Sequence, residues 1–393
     1  MAEPETLLVG QSGGPTPVIN GSLAGLLTGA GKRFGRVLGL RHGIEGAMAG
    51  DVVDLSALTA SDVEALRRTP AAALGSCRHK LAPGDTDVVL GTLRRHNVRA
   101  FAYIGGNDSM DTCAQLERAA RDGGWPLAVY GVPKTIDNDL AGTDHCPGYG
   151  SAARYWAIST QEATRDLAAM RTYDRVLILE CAGRNAGWLT ASTALYRRDE
   201  RDGPHLLLVP ERPFERAAFL GAVERAVSRV GYCVVAVAET IRDADGAYVA
   251  QSVGGVDRFG HAIVTAAGET LAQLVARELG VKARANKPGT FQRTSMAHVS
   301  TVDREEAFAA GVAAAQRLAA GESGKMVAFV RRSDEPYVVD LDAVPLETVA
   351  NRERRLPEEF LEAGEVVSGT GEPFRRYATP LLGPAPEPHF SLA

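Results

Sequence analysis

Apolar strand-like runs alternate with helical segments along almost the whole 393-residue chain, and that alternation leaves few folds open. Strand–helix–strand repetition builds parallel sheets, so the expected class is α/β. Candidate strands are Thr6–Val9, Arg36–Leu40, Arg99–Ile104, Leu127–Val132, Arg175–Cys181, Leu206–Val209, Cys233–Ala238 and Lys325–Val330. Apolar residues at helical spacing predict helices over Pro17–Gly29, Ser109–Arg121, Ser151–Ala169, Phe214–Val230, Ala262–Glu278 and Arg304–Ala320. A chain this long is expected to form two domains. Ala141–Gly150, with Pro147 among its glycines, reads as a crossing point between two lobes. The proline-rich tail after Gly383 reads as an irregular strap.

Composition narrows the partners. Hydrophobic residues at 45% and charged residues at 23% match a water-soluble globular protein. A formal charge of -5 argues against a general nucleic-acid binder while leaving room for a small cationic pocket. No apolar run approaches the roughly 18 residues of a membrane span, and the first residues lack a signal-peptide pattern. Cys77, Cys113, Cys146, Cys181 and Cys233 are scattered and odd in number, which suits reduced thiols in a cytoplasm. The eight His residues lack metal-ligand spacing, and His145 and His298 read as ordinary hydrogen-bonding residues.

Three strand ends carry the chemistry. Gly10-Gln11-Ser12-Gly13-Gly14-Pro15 follows the first strand and precedes the first helix, where backbone N–H groups approach anions. It is neither a Walker loop nor a dinucleotide fingerprint, and on its own it fits a structural turn as well as a phosphate cradle. Gly105-Gly106-Asn107-Asp108-Ser109 follows another strand; it is a phosphate loop, or a tight turn in which Asp108 or Ser109 caps a helix. Lys134-Thr135-Ile136-Asp137-Asn138-Asp139 follows a third. In an extended loop Asp137 and Asp139 point to the same side, one to accept a hydroxyl proton and the other to hold Mg²⁺. Asx turns are the plainer alternative there. Ligands in open α/β sheets bind outside the carboxyl ends of strands, so these loops are expected to share one crevice. An amide cradle, a cation and a carboxylate pair are what phosphoryl transfer uses.

Further cations sit in Leu74–Lys80, containing Arg78, and in Ala182-Gly183-Arg184, which follows a strand. Arg284 and Arg293 flank Lys287–Gln292. A lone Arg is usually a solvated surface residue, but the strand-end position of Arg184 favours phosphate contact. Glu211, also after a strand, can accept hydrogen bonds from sugar hydroxyls or serve as a helix N-terminal acid.

In order and spacing, Gly105–Ser109, Thr135–Asp139, Ala182–Arg184, Pro210-Glu211 and Gln292-Arg293 resemble the phosphofructokinase family. The likeness runs from the first strand to at least Arg293. It implies two Rossmann-like three-layer lobes with mostly parallel sheets: 1–148 plus 292–345 binding the donor, and 149–291 plus 346–393 binding the sugar phosphate. It implies phosphoryl transfer to the 1-hydroxyl of fructose 6-phosphate, with Mg²⁺ held by Asn107 and Asp139. Asp137 corresponds to the base, with Lys134 and Arg184 beside it in catalysis. Thr135, Asp139, Arg175, Gly183, Glu211, Arg284 and Arg293 correspond to sugar-phosphate contacts, the three arginines at the 6-phosphate. Gly13, Gly14, Arg78, Gly106, Asp108 and Lys134 correspond to donor contacts. Because family members share arginines between subunits, a homodimer or homotetramer is implied.

Asp108 and Lys134 also look like the pyrophosphate-using branch, since ATP-using members carry glycine at both positions. A carboxylate at 108 crowds and repels the α-phosphate of a nucleotide, while the Lys134 ammonium can hold the free end of pyrophosphate. Pyrophosphate and orthophosphate differ little in phosphoryl potential, so that branch implies a reversible reaction. An ATP-dependent kinase of the same fold, or a kinase for a related ketose phosphate, is the alternative. Asn107, Ala182 and Thr290 depart from the family pattern, and Asn107 offers a neutral, weaker metal ligand than an acid.

Overall fold

The computed structural model describes residues 5–31, 33–250, 252–256, 262–264 and 266–390. In chain order its strands are β1 (Glu5–Gln11), β2 (Phe34–Leu40), β3 (Val52–Asp54), β4 (Val98–Gly105), β5 (Ala128–Pro133), β6 (Val176–Cys181) and β7 (Leu206–Leu208). They continue with β8 (Cys233–Ala238), β9 (Ser252–Val256), β10 (Ala262–Val264), β11 (Ala283–Asn286), β12 (Lys325–Asp334) and β13 (Tyr337–Pro345). Each of the eight candidate strands is found. The chain divides into two compact units, Met1–Tyr149 with Arg293–Val299 and Asp303–Arg354, and Gly150–Gln292 with Ser300–Val302 and Arg355–Ala393.

The first unit is a seven-stranded sheet in the order β13-β12-β5-β4-β1-β2-β3. Its five central strands pair in parallel, and the edge strands β3 and β13 run antiparallel to their neighbours. Period-two alternation sorts each central strand between two cores. On β4, Phe101 and Tyr103 join one, while Ala100, Ala102 and Ile104 join the other. Helices Asp85–Arg95 and Asn107–Asp122 close the first core with Val89, Leu93, Met110 and Leu116. Helices Ile19–Ala30 and Thr301–Ala319 close the second with Ile19, Leu23, Ala310 and Ala314. The result is three layers. This unit runs on to Arg354 rather than ending at 345, because residues beyond β13 pair with the loop after β5.

The second unit holds a four-stranded parallel sheet, β11-β6-β8-β7, and the antiparallel pair β9–β10. Val176, Ile178, Val235 and Val237 form its core with Phe219 and Val223 of helix Arg216–Val230 and Leu271 and Val275 of helix Ala267–Leu279. The helix expected from Ala262 starts only at Ala267, since Ala262–Val264 pairs with β9; Thr265 lies outside the described residues. The expected strap contains a helix, Glu372–Leu382, whose Tyr377 ring lies 5.3 Å from that of Trp188. Beyond Gly383 no regular element follows through residue 390.

Among the described residues no helix is long and apolar enough to cross a membrane. All five cysteines are buried and free of disulfides.

Glycines let helices Ile19–Ala30 and Thr301–Ala319 touch backbone to backbone. A Cβ on Gly25 would lie 2.0 Å from the Phe308 carbonyl oxygen, and one on Gly311 would lie 2.1 Å from that of Ser22. Backbone cannot swing aside as a side-chain tip can, so Gly311→Ala must push the helices apart. We expect a loss of about 1–3 kcal/mol in chemical denaturation, the usual cost of overpacking. An unchanged midpoint and slope would contradict this packing.

Candidate active site

Because β5, β4 and β1 are neighbours and parallel, their carboxyl ends lie side by side, and the three suspected loops of the first unit leave from adjacent points. Backbone hydrogen bonds join them: Ser12 N donates to Ile104 O at 2.9 Å, and Lys134 N donates to Gly105 O at 3.0 Å. A fourth loop is brought in by buried amides. Gln11 Nε2 donates to Asn20 Oδ1 at 3.0 Å, and Gln11 Oε1 accepts from Leu74 N at 3.0 Å. Asn20 in turn accepts from Ala73 N and donates to Thr69 O, both at 2.9 Å. This network holds the segment that ends in Arg78. Gly13 N then donates to Cys77 O at 3.0 Å, and Gly13 O accepts from Ser76 Oγ at 2.6 Å.

These loops gather cations. The Lys134 ammonium is buried and donates to Gly14 O at 2.8 Å. A Cβ on Gly14 would stand 2.9 Å from Arg293 Nη1 and 3.5 Å from Arg78 Nη2. Arg293, expected at the sugar 6-phosphate, therefore lies in the first unit against the Gly-Gly loop, because Gly14 has no side chain to keep it away. Burial, aided by Arg78 and Arg293, pushes the Lys134 ammonium down to about 8, while Asp137 and Asp139 pull the other way. Such a cluster is made for a compact polyanion.

The Gly105–Ser109 segment is a helix start. Gly106 is the N-cap of Asn107–Asp122, and no side chain caps it, so neither Asp108 nor Ser109 takes the capping role. The uncapped first turn offers N–H groups and positive potential to an anion. Ser109 packs beneath Gly105, and Asp108 is exposed in the first turn. By contrast the helix after the first Gly-rich loop begins at Ile19, leaving Thr16, Pro17 and Val18 between that loop and the helix start. Its amide cradle is loop backbone.

The Thr135–Asp139 loop is not extended. Asn138 is fully buried in the left-handed region, φ 56°, a conformation asparagine tolerates better than most residues. Its Oδ1 accepts from Cys146 N at 3.1 Å, and Thr135 Oγ1 accepts from Asp137 N at 3.0 Å. Despite the turn, both carboxylates act on the Lys134 charge. Burial, with Glu353 nearby, raises Asp139 above the usual carboxylate range.

The segment that binds these loops together resembles the longer C-terminal region of pyrophosphate-type members, but no site role was expected of it. Asn351 Nδ2 donates to Asp111 Oδ1 at 3.1 Å, and Arg352 O accepts from Asn107 Nδ2 at 2.5 Å. Glu353 bridges to Leu140, and Arg354 N donates to Asp139 O at 2.7 Å. Nothing in its composition marked this stretch. The Gln11–Asn20 pair was missed too, although two buried amides at a strand end and helix start were its available signal.

In the second unit, Gly183, Arg184 and Glu211 collect at the carboxyl ends of β6 and β7. Gly183 has φ 113°, and a Cβ there would sit 2.6 Å from Ala186 O, so this turn requires glycine. Gln292 Oε1 holds the turn by accepting from Ala182 N at 2.8 Å and from Trp156 Nε1 at 3.0 Å. Glu211 Oε1 accepts from Gly187 N at 3.0 Å and Leu356 N at 2.8 Å, while Oε2 is buried without a partner. Burial raises the Glu211 carboxyl. Arg175 and Arg284 are not part of this group. Arg175 precedes β6, with its Nε on Gly231 O at 2.9 Å, and Arg284 pairs in register with Leu177 and forms an ion pair with Asp174. At ~3.3 Å per residue, β6 places its carboxyl end, just before Arg184, roughly 20 Å along the strand from Arg175 and about 13 Å from the level of Arg284.

The phosphofructokinase family model matches residues 6–318. The chain belongs to the phosphofructokinase family. It is 44% identical over 387 residues to the pyrophosphate–fructose 6-phosphate 1-phosphotransferase of Xanthomonas campestris pv. campestris, covering 97% of this chain and 92% of that one. It is 41% identical over 381 residues to the enzyme of the same name from Halomonas elongata, covering 95% and 90%. The solved pyrophosphate-dependent phosphofructokinase of Nitrosospira multiformis superposes with a TM-score of 0.88 at 35% identity, covering 99% of this chain and 94% of that one. The α/β architecture with mostly parallel sheets is thus that of the phosphofructokinase fold.

The two residues expected to hold Mg²⁺ carry oxygens that suit a hard cation. Asn107 Oδ1 is buried with no hydrogen-bond partner, and Asp139 is a buried carboxylate. Hard cations take such oxygens, and Mg²⁺ usually needs one or two carboxylates plus substrate phosphates. No group of three or more His, Cys, Asp and Glu side chains suited to a metal occurs among the described residues.

Lys134 gives a test by pH. An ammonium pushed down to about 8 is mostly charged at pH 7 and mostly neutral at pH 9. Calorimetric binding of inorganic pyrophosphate to the native chain and to Lys134→Met should differ most below pH 8. The native advantage should shrink by up to about tenfold per unit above it. A constant advantage from pH 7 to 9.5 would show that this ammonium does not hold the anion.

Proposed function

We propose that this chain reversibly transfers a phosphoryl group from pyrophosphate to the 1-hydroxyl of fructose 6-phosphate, giving fructose 1,6-bisphosphate and phosphate. The observation that carries the donor assignment is the buried Lys134 ammonium on the Gly14 carbonyl, with Arg78 against the same glycine. This charge suits a short diphosphate, and Asp108 in the first turn adds a carboxylate that repels a longer nucleotide chain. The names of the close relatives agree with this donor.

Asp137 accepts the proton of the sugar 1-hydroxyl as its oxygen attacks the terminal phosphorus. The P–O bond to the second phosphate breaks, and its electron pair leaves with orthophosphate. Lys134 and the open N–H groups at Gly106–Asn107 balance charge on the donor, and Arg184 balances charge on the group in transit. Asn107 and Asp139 would hold Mg²⁺, which when bound neutralises part of the donor charge. Thr135, through the backbone N–H of Asp137, and Gly183, through the turn before Arg184, set those side chains in position. Glu211, with Oε2 open, accepts from a sugar hydroxyl.

Arg293 keeps the sugar 6-phosphate role implied by the family likeness, together with Arg175 and Arg284. The distance of Arg175 and Arg284 from Arg184 fits service to the site of a second copy, which makes the enzyme a homodimer or homotetramer. Five buried free cysteines suit a cytoplasmic enzyme.

Purified protein with fructose 6-phosphate and Mg²⁺ should turn over with pyrophosphate and far less with ATP; turnover with ATP alone would overturn the donor assignment. Changing Asp108 and Lys134 together to glycine should raise ATP use relative to pyrophosphate, and an unaltered ratio would remove both from donor choice. Gly106 supplies a further check. It has extended backbone, and a Cβ there meets only Lys134 O at 3.6 Å, so Gly106→Ala should fold normally. We expect its KM for pyrophosphate to rise while that for fructose 6-phosphate stays constant; an unchanged donor KM would mean that the donor does not approach this residue.

A further inference from the structure

The turn at Asn138 aims two carboxylates, and it is held from within its own loop and from a distant segment of the chain. Asn138 is a left-handed residue between Asp137 and Asp139, so a change in its backbone angles would turn one carboxylate relative to the other. Arg354 meets the Asn138 carbonyl twice, through Nε at 3.2 Å and Nη2 at 3.0 Å. The remaining nitrogen, Nη1, donates to Thr143 O at 3.3 Å and to Asp144 O. The Arg354 backbone N–H donates to Asp139 O at 2.7 Å. One residue therefore grips the loop at 138, at 139 and at 143–144.

We propose that Arg354 is a positioning residue for phosphoryl transfer: its guanidinium fixes the Asn138 carbonyl and so keeps the Asp137 carboxylate aimed at the hydroxyl it deprotonates. The inference rests on Asp137 as the base. Three carbonyls at three bearings need a planar fork, and a single lysine ammonium cannot span them in that geometry. The guanidinium contacts at Asn138, Thr143 and Asp144 are to backbone carbonyls of the loop that carries Asp137, so its effect belongs to the chemical step more than to substrate affinity.

The test is steady-state kinetics on Arg354→Met and Arg354→Lys, with thermal unfolding of each. A carboxylate displaced by about 1 Å costs on the order of 100-fold in rate, so kcat of Arg354→Met should fall by about that factor. Both KM values should stay within about threefold of native, the pattern of an interaction made in the transition state. Arg354→Lys should recover no more than a part of the loss. If Arg354→Met does not fold, Arg354→Lys decides alone: a lowered kcat at native KM supports the proposal. Native kcat in either variant overturns it, as does a fall in kcat matched by an equal rise in both KM values. Asp137→Asn, run beside them, separates this inference from the reading beneath it. If Asp137→Asn turns over at the native rate, the base assignment fails; if it is inactive while the Arg354 variants keep native kcat, the positioning role alone fails.

Discussion

A buried ammonium organises the first unit. Lys134 sits at the end of a central strand, almost without exposure, bonded to one carbonyl and crowded by two guanidiniums. Removing such a charge from water is costly unless partners compensate. Here the compensation is partial: the Gly14 carbonyl and two carboxylates favour the ammonium, while burial, Arg78 and Arg293 oppose it. An arrangement that leaves positive charge incompletely balanced is poor engineering for stability and good engineering for gripping an anion. The glycines at 13 and 14, the amide pair Gln11–Asn20 and the fold of the Leu74–Arg78 loop all follow from keeping that charge accessible to a ligand and closed to bulk water.

Much of this was legible because the controlling signals are local. Buried parallel strands read as short apolar runs, and the loops that follow them carry glycines, acids and a lysine in recognisable order. Strands β3, β11 and β13 were missed because they are short or at sheet edges, with the alternating or polar pattern of half-exposed chain. Long-range hydrogen bonding was invisible for a different reason. The segment Asn351–Arg354 contacts residues more than 200 positions away, and its polar composition is what any exposed turn carries. The position of Arg293 beside Gly14 depends on which neighbour lacks a side chain, a fact of packing rather than of motif.

The division of acids in the active site also has a physical logic. Asp137 and Asp139 share a loop, one residue apart, yet the proposed mechanism asks unlike things of them. Asn138 makes that possible. An extended peptide would present both carboxylates in one direction, where like charge would raise one of them strongly. The left-handed turn removes that extended arrangement, while both carboxylates still act on Lys134. A residue in that conformation persists only when its surroundings over-determine it. Those surroundings are the Asn138 side chain on Cys146 N and the Arg354 guanidinium on the Asn138 carbonyl. Under the proposed base assignment, the geometry of proton transfer is thus held by a residue from the far end of the unit. This explains why the chain must return, after its last edge strand, to the loop that carries the chemistry.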